Sequence, residues 1–442
     1  MKNIISRFVY FFISSKKEPL VYCSRSNSFL KLSESLFDFL KQCKENASLI
    51  SQLDENLLSL LKKHKIVVGV NEDCDFLLEH EFADNQSAYR YSSLGLVLVP
   101  TMACNFDCPY CFEKGKKASK MTDEVIENLL CFIKKHEEAK KLYVTWYGGE
   151  PLLAVDVIEK ILKKIHSEIS LPLIGQSIVT NGYYFDSKVI DLFRKYPLQW
   201  IQITLDGNKE RHDNIRKQKI TGEGSFDRLI KNMDKIVKEL PETKLSIRIN
   251  VEKENLQDYF DLQKELSERW QEHKVVIYPG LLRIHNDTNT AFTCECIDNV
   301  EANELFFNLR KAKILKEPLY PLLQNDRDCC ASVVNAYIIG TKGEIYKCWD
   351  DVTDDSKIIG YINKEELTNP SLFYRYVVGS KWYHNDECMN CFFLPICRGQ
   401  CARYRLRNMY ENGKFSLCQC IQKTSNLLEK TLEYWYDNQK EE

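Results

Sequence analysis

Cys104-Asn105-Phe106-Asp107-Cys108-Pro109-Tyr110-Cys111 sets three thiols in one tight loop, directly after the apolar run at residues 94–100. Soft thiolates suit iron–sulfur clusters, and a [4Fe–4S] cube takes four ligands, so three cysteines leave one iron open. A zinc loop would need a fourth Cys or His close by. The next thiol along the chain is Cys131, on a predicted helix.

Outward from this loop, strand-like and helix-like segments alternate. Period-2 or continuous apolar runs predict strands near residues 94–100, 142–147, 177–181, 200–205, 245–251 and 274–278, with helices between them, such as 123–136 and 226–240. This alternation calls for parallel β/α units. The fold class is α/β, a partial (β/α)6 TIM barrel whose functional residues belong at the C-terminal ends of the strands.

The conspicuous motifs fall at those ends. Gly148-Gly149-Glu150-Pro151 follows the second strand, Thr180-Asn181-Gly182 the third and Thr204-Leu205-Asp206-Gly207 the fourth, with Arg211 to Arg216 just beyond. Taken singly, Asn-Gly and Asp-Gly are ordinary turn pairs. Arg248 and Asn250 on the fifth strand face the barrel interior in this reading, in structural or functional roles alike.

Composition narrows the class. With 442 residues the chain needs more than one domain. Its 61 basic and 63 acidic residues nearly cancel, which leaves no global field for nucleic acid or a membrane surface. The apolar stretch at residues 8–13 is far shorter than the ~20 residues of a membrane helix and has no cleavage site behind it, so a cytoplasmic protein is expected. The 18 cysteines sit in short-spaced groups in a large chain, which favours metal thiolates over disulfides.

A second array lies downstream: Cys329-Cys330, then Cys348, then Cys388, Cys391, Cys397 and Cys401 in a Cys-x2-Cys-x5-Cys-x3-Cys run, and finally Cys418 and Cys420. A pair of zinc sites is the competing reading, since zinc shares these ligands and spacings. Cys23, Cys43, Cys74 and Cys131 stand outside both arrays and read as buried thiols.

The first loop, with Tyr110 before its last cysteine, resembles the Cys-x3-Cys-x2-Cys signature of the radical S-adenosylmethionine (SAM) superfamily, and the second array, from about residue 328 to 436, resembles the SPASM auxiliary-cluster domain. The resemblance implies that Cys104, Cys108 and Cys111 hold a [4Fe–4S] cluster. SAM binds its open iron and is cleaved to a 5′-deoxyadenosyl radical that abstracts hydrogen from a substrate. It implies that Gly148 and Gly149 permit close backbone approach, that Glu150 receives the SAM ammonium, and that Tyr110, Asn181, Thr204, Asp206 and Arg216 belong to the cofactor site. In the second array, Cys388, Cys391 and Cys397 with Cys418 or Cys420 would hold an outer auxiliary cluster. Cys348, Cys401 and one or both of Cys329 and Cys330 would hold an inner one, with Cys294 and Cys296 also available. Asp350, after Cys348-Trp349, is a candidate general base; the plain alternative is a solvated turn in an acidic run.

The N-terminal segment, a strand at 19–23, helices at 33–43 and 54–64 and a β-rich end at 66–70, is similar to the winged-helix-like α+β domain that captures leader peptides by strand addition. A generic cap on the barrel fits equally. Residues 79–93 read as a polar linker. The expected domains are 1–90 N-terminal, 91–285 radical SAM core, 286–328 connecting and 329–442 SPASM. The implied function is maturation of a ribosomally made peptide by a thioether or carbon–carbon cross-link, with a leader-bearing precursor and a flavodoxin- or ferredoxin-type electron donor as partners. The alternatives are a sulfatase-maturing, formylglycine-generating enzyme and a non-catalytic, metal-bound peptide-binding protein.

Overall fold

The computed structural model describes residues 2–111, 118–282, 296–316, 318–323, 329–397, 399–418 and 427–439. Cys294 and Cys420 lie outside the described residues. The chain forms two compact units that do not follow the linear order of the expected domains: residues 1–89, 298–332 and 375–442 make one, and residues 90–297 and 333–374 the other.

The first unit begins with five strands, β1 (Asn3–Ile5), β2 (Val9–Ile13), β3 (Pro19–Cys23), β4 (Ser28–Lys31) and β5 (Val67–Gly69). β2, β3 and β4 form an antiparallel meander, and β1 pairs antiparallel with β5. Helices Glu34–Glu45 and Glu55–Lys63 start at Ser33 and Asp54, whose side chains accept from Leu36 and Leu57 amides, the usual role of N-cap hydroxyl and carboxylate groups. Phe8, Val21, Phe37, Leu40, Ile50, Leu61 and Ile66 meet in the core beneath them.

Two expectations change here. The stretch read as a linker is mostly helix, Glu72–Ala88. Its polar side chains have partners: Asp84 takes the Lys381 ammonium at 2.9 Å and Asn85 the Tyr383 hydroxyl at 2.7 Å. Composition suggested solvent where tertiary pairing occurs. Cys23 and Cys43 are buried core thiols as read, but Cys74 and Cys131 are exposed, Cys131 on the face of its helix opposite the apolar stripe of Ile126, Leu129, Leu130 and Ile133.

The second unit is built on a sheet ordered β11-β10-β9-β8-β7-β6-β12-β13-β14. Its parallel run comprises β6 (Ser93–Leu98), β7 (Lys141–Trp146), β8 (Leu173–Thr180), β9 (Trp200–Leu205), β10 (Lys244–Val251) and β11 (Val275–Leu281). These match the expected strands to within a few residues, and neighbours in sequence are neighbours in space, as a partial barrel requires. Helix Asp123–Lys134 illustrates the packing: Thr122 caps it through the Val125 amide, and Ile126, Leu129, Leu130 and Ile133 form its buried stripe.

The sheet also continues past β6. β12 (Ala336–Ile339) pairs in parallel with β6, and β13 (Glu344–Tyr346) and β14 (Gly360–Tyr361) follow antiparallel. The start of the cysteine-rich region therefore extends the barrel sheet. Among the described residues, no helix is long and apolar enough to cross a membrane.

Candidate active site

The cysteine loop is held against the ends of β7 to β10. Gly149 donates its amide to Thr101 O at 3.2 Å, and Glu150 to Ala103 O at 2.8 Å. A Cβ on Gly148, whose φ is +128°, would lie 2.4 Å from Thr101 O, and one on Gly149 would lie 2.5 Å from both Met102 O and Ala103 O. The glycine pair is required because two backbones touch there. From the other side, the Lys219 amide donates to Asn105 O at 2.8 Å, and Phe106 bridges to Gln218.

Glu150 is fully buried. Its Oε1 accepts from the Leu152 amide (3.0 Å) and the Thr180 hydroxyl (2.7 Å), and its Oε2 from the Asn181 amide (2.7 Å). Burial pushes its pKa up to about 7 against these bonds. Oε2 keeps acceptor capacity for a further donor. The Asn181 side chain donates to Asn105 Oδ1 at 2.8 Å, and the Asn105 Nδ2 beside it is buried with no hydrogen-bond partner.

A second buried group sits under Tyr110. The phenol lies 2.8 and 2.6 Å from the Asp206 oxygens and accepts from Arg216 Nη2 at 2.7 Å, while Arg216 Nε donates to Asp206 Oδ2. Asn250 Nδ2 donates to Asp206 Oδ1 at 2.8 Å and to Tyr110 at 3.2 Å, leaving its own Oδ1 buried and unpaired. Burial is the largest influence on Asp206 and opposes its ionisation, but Arg216, His212 and the hydrogen bonds from Tyr110 and Asn250 together outweigh it and hold the carboxyl below its ordinary range. His212 accepts the Asp206 amide on Nδ1 (3.3 Å), and its Nε2 faces the Ser225 hydroxyl (3.0 Å), which donates to Arg216 O (2.8 Å). This direction of bonds assigns the proton to Nε2.

Tyr110, Gly148, Gly149, Glu150, Asn181, Asp206 and Arg216 are thus gathered at one end of the barrel. Thr204 lies on β9 opposite Arg248 in the ladder and stands outside the hydrogen-bonded set. Asn250, read from sequence as facing the barrel interior, completes the site with Asn105 of the cysteine loop and His212 of the 211–216 segment, two residues with no role legible in the sequence. Only strand register places Asn250 beside Asp206. The turn Trp349–Asp351, carrying the exposed Asp350, lies beside the glycine pair, since Trp349 packs edge-on against Tyr147 at 4.8 Å.

Burial pushes the Cys108 thiol up to about 11, with Arg216 opposing, and the charges of Cys104, Cys108 and Cys111 act on one another. Among the described residues no three His, Cys, Asp or Glu side chains converge on a single-ion position. A cube places one thiolate on each of its irons, so its ligands surround a volume and do not meet at a point. Three thiols in one loop, with buried and unpartnered Asn105 Nδ2 and Asn250 Oδ1 among the residues of the site, fit such a cluster with a polar ligand.

A sequence profile of the Radical SAM superfamily matches residues 98–266, the span that holds this loop and the glycine pair. The chain is a radical SAM enzyme. Enzymes of this superfamily carry a [4Fe–4S] cluster that binds SAM. This one is 26% identical over 352 residues to the cysteine-type anaerobic sulfatase-maturating enzyme of Clostridium novyi (strain NT), covering 73% of this chain and 91% of that protein. It is 24% identical over 379 residues to the radical SAM cyclopropyl synthase TigE of Paramaledivibacter caminithermalis, covering 79% and 77%. The crystal structure of Streptococcus suis SuiB bound to precursor peptide SuiA superposes with a TM-score of 0.50 at 17% identity, covering 95% of this chain and all of that one.

The radical SAM enzyme has a second thiol site in its other unit. Cys388, Cys391, Cys397 and Cys418 line one pocket of about 450 Å³, including its opening to solvent, with Phe393, Leu394 and Gly399. Of the two expected fourth thiols, Cys418 lines this pocket and Cys420 lies outside the described residues. Cys330 begins a turn that packs on helix Ala402–Tyr410, which starts at Cys401. Cys329 is exposed beside it, and Cys348 belongs to the barrel unit.

Proposed function

We propose that this radical SAM enzyme is a maturase that modifies a ribosomally made precursor peptide by hydrogen abstraction and oxidative cross-linking. The observation that carries the reading is the presence in one chain of a three-cysteine loop clamped on the Gly148-Gly149 turn and a separate pocket lined by four thiols. The likeness to SuiB, which is bound to a precursor peptide and matched over 95% of this chain, supports a peptide as substrate.

In this reading Cys104, Cys108 and Cys111 hold the catalytic cluster, and SAM bound on it supplies a 5′-deoxyadenosyl radical. Glu150 Oε2 takes the SAM ammonium, and that charge favours the ionised carboxylate. Asn105 Nδ2 and Asn250 Oδ1 offer a further donor and acceptor. Asp206, already satisfied by Tyr110, Asn250 and Arg216, holds the loop in place and leaves cofactor contact to its neighbours. Cys388, Cys391, Cys397 and Cys418 hold an outer auxiliary [4Fe–4S] cluster. Asp350 serves as the base, and the antiparallel meander β2-β3-β4 captures the leader. A flavodoxin- or ferredoxin-type protein delivers the electrons.

The Clostridium novyi relative favours a second reading, oxidation of a sulfatase Cys to formylglycine. Anaerobic reconstitution with iron, sulfide, reductant and SAM, followed by co-expression with a precursor encoded beside the gene, separates the two. Loss of hydrogen pairs from the precursor, located by fragmentation to a cross-link, supports maturation. Conversion of a sulfatase peptide with the precursor left untouched overturns it, and absence of 5′-deoxyadenosine with either substrate sinks both.

A further inference from the structure

The four-thiol pocket has a donor shell of its own. Gly399 and Gln400 both adopt left-handed backbone, at φ +73° and +61°. Glycine does so freely, whereas glutamine pays a conformational cost. The turn that results aims the Gln400 amide at Cys397, with Nε2 donating to Sγ at 3.4 Å. On the same wall stands Arg405, 4% exposed. Its Nη1 donates to Gly399 O, and a Cβ on Gly399 would come within 2.2 Å of that nitrogen. Glycine is therefore needed there twice over, for its φ and for the guanidinium it accommodates.

Arg405 lacks the counter-ion a buried guanidinium ordinarily has. Its Nε is buried without a hydrogen-bond partner, and among the described residues it forms no ion pair. Asp84, the carboxylate in its surroundings, is taken by Lys381 at 2.9 Å. The other ionisable groups that act on it are the thiols Cys388, Cys401 and Cys397. An uncompensated buried charge is costly, so the position makes physical sense when the sulfurs carry negative charge, as cluster ligands do.

We propose that Gln400 and Arg405 are positioning residues that raise the reduction potential of the outer centre, through a fixed N–H···S bond and a buried positive charge set against its sulfurs. The inference rests on the auxiliary-cluster reading above. The reduced form of a cluster carries one more negative charge than the oxidised form. Donors and cations at its sulfurs therefore stabilise the reduced form preferentially, and their removal drives the potential down.

The test uses the full chain with Cys104, Cys108 and Cys111 replaced by Ala, so that only auxiliary centres give a signal. Iron and sulfide are assayed first, and Cys391→Ala identifies which electron paramagnetic resonance signal is the outer centre. Dithionite titration then gives its midpoint in Gln400→Gly, Arg405→Met and Arg405→Lys. Gln400→Gly removes the donor while relieving the backbone, so it keeps the fold. With iron content unchanged, Gln400→Gly and Arg405→Met shift the midpoint to more negative values, and Arg405→Lys returns it toward the parent. A midpoint unmoved in both would overturn the proposal, as would loss of iron in all three with circular dichroism unchanged, which would assign these residues to assembly. Zinc or no metal in the parent overturns the auxiliary-cluster reading itself.

Discussion

The Tyr110 phenol lies 2.6 Å from Asp206 Oδ2, joining the cysteine loop to the end of β9 through one buried hydrogen bond. Arg216 and Asn250 close the group around it, so the loop position is set by a charge-balanced cluster under Cys108 and Cys111 as well as by backbone contact.

Tyr110→Phe removes this bond and takes away the acceptor of Arg216 Nη2. Leaving buried polar groups unsatisfied costs about 1–3 kcal/mol. Urea unfolding of the metal-free protein should show that loss with an unchanged slope. A midpoint equal to the parent's would mean that the phenol does not anchor the loop.

Asp206→Ala should be worse, because Arg216 is then buried without its partner, a situation that costs roughly 3–5 kcal/mol. The expected result is loss of soluble protein, with partial recovery in Arg216→Met/Asp206→Ala. Failure of the double variant to recover would place the cost elsewhere than in the stranded charge.

His212 predicts a pH dependence. Burial and the nearby Arg216 push its pKa from 6.5 down to about 4. In the unfolded chain it protonates near 6.5, in the folded chain only near 4, so its contribution is full above the first value and is lost as pH falls through the second. Stability should drop by up to about 3 kcal/mol across that window. Asp206, also depressed, acts in the same direction at lower pH. His212→Gln should flatten the upper part of the curve, measured as urea midpoints at pH 7, 6 and 5.

Gly149→Ala would force a methyl against two carbonyl oxygens at 2.5 Å. Separating the glycine turn from the cysteine loop should abolish retention of the catalytic cluster and reduce SAM affinity at least tenfold, about 1.4 kcal/mol, read by iron assay and equilibrium dialysis. Gly222→Ala is the control: its Cβ meets nothing within 4 Å, though its φ of +70° carries a small strain.

The sequence read well where local chemistry carries the signal. The strands β6 to β11 announce themselves by apolar runs, and the Cys104–Cys111 spacing and the Gly148-Gly149-Glu150 turn name their chemistry without coordinates. Asn250 reads from sequence as facing the barrel interior with no role assigned, and His212 has none, because an Asn on a strand and a His after a turn are common. Their importance comes from β10 lying beside β9 and from the Ser225 hydroxyl waiting across the turn. The helix Glu72–Ala88 was misread as linker for the same reason: its polar face is satisfied by Lys381 and Tyr383, some 300 residues away.

By itself, then, the sequence determined the barrel, the three-thiol loop and the existence of a second thiol array, since each depends on residue type and short spacing. Tertiary structure alone decided which groups share a site. It assigned residues 333–374 to the barrel sheet through the pairing of β12 with β6, put Cys418 in the pocket with Cys388, Cys391 and Cys397, and brought Tyr110, Asp206, Arg216 and Asn250 together from four separate segments. Such convergence depends on how strands register and how buried charges find partners, and neither is written in any local window of the chain.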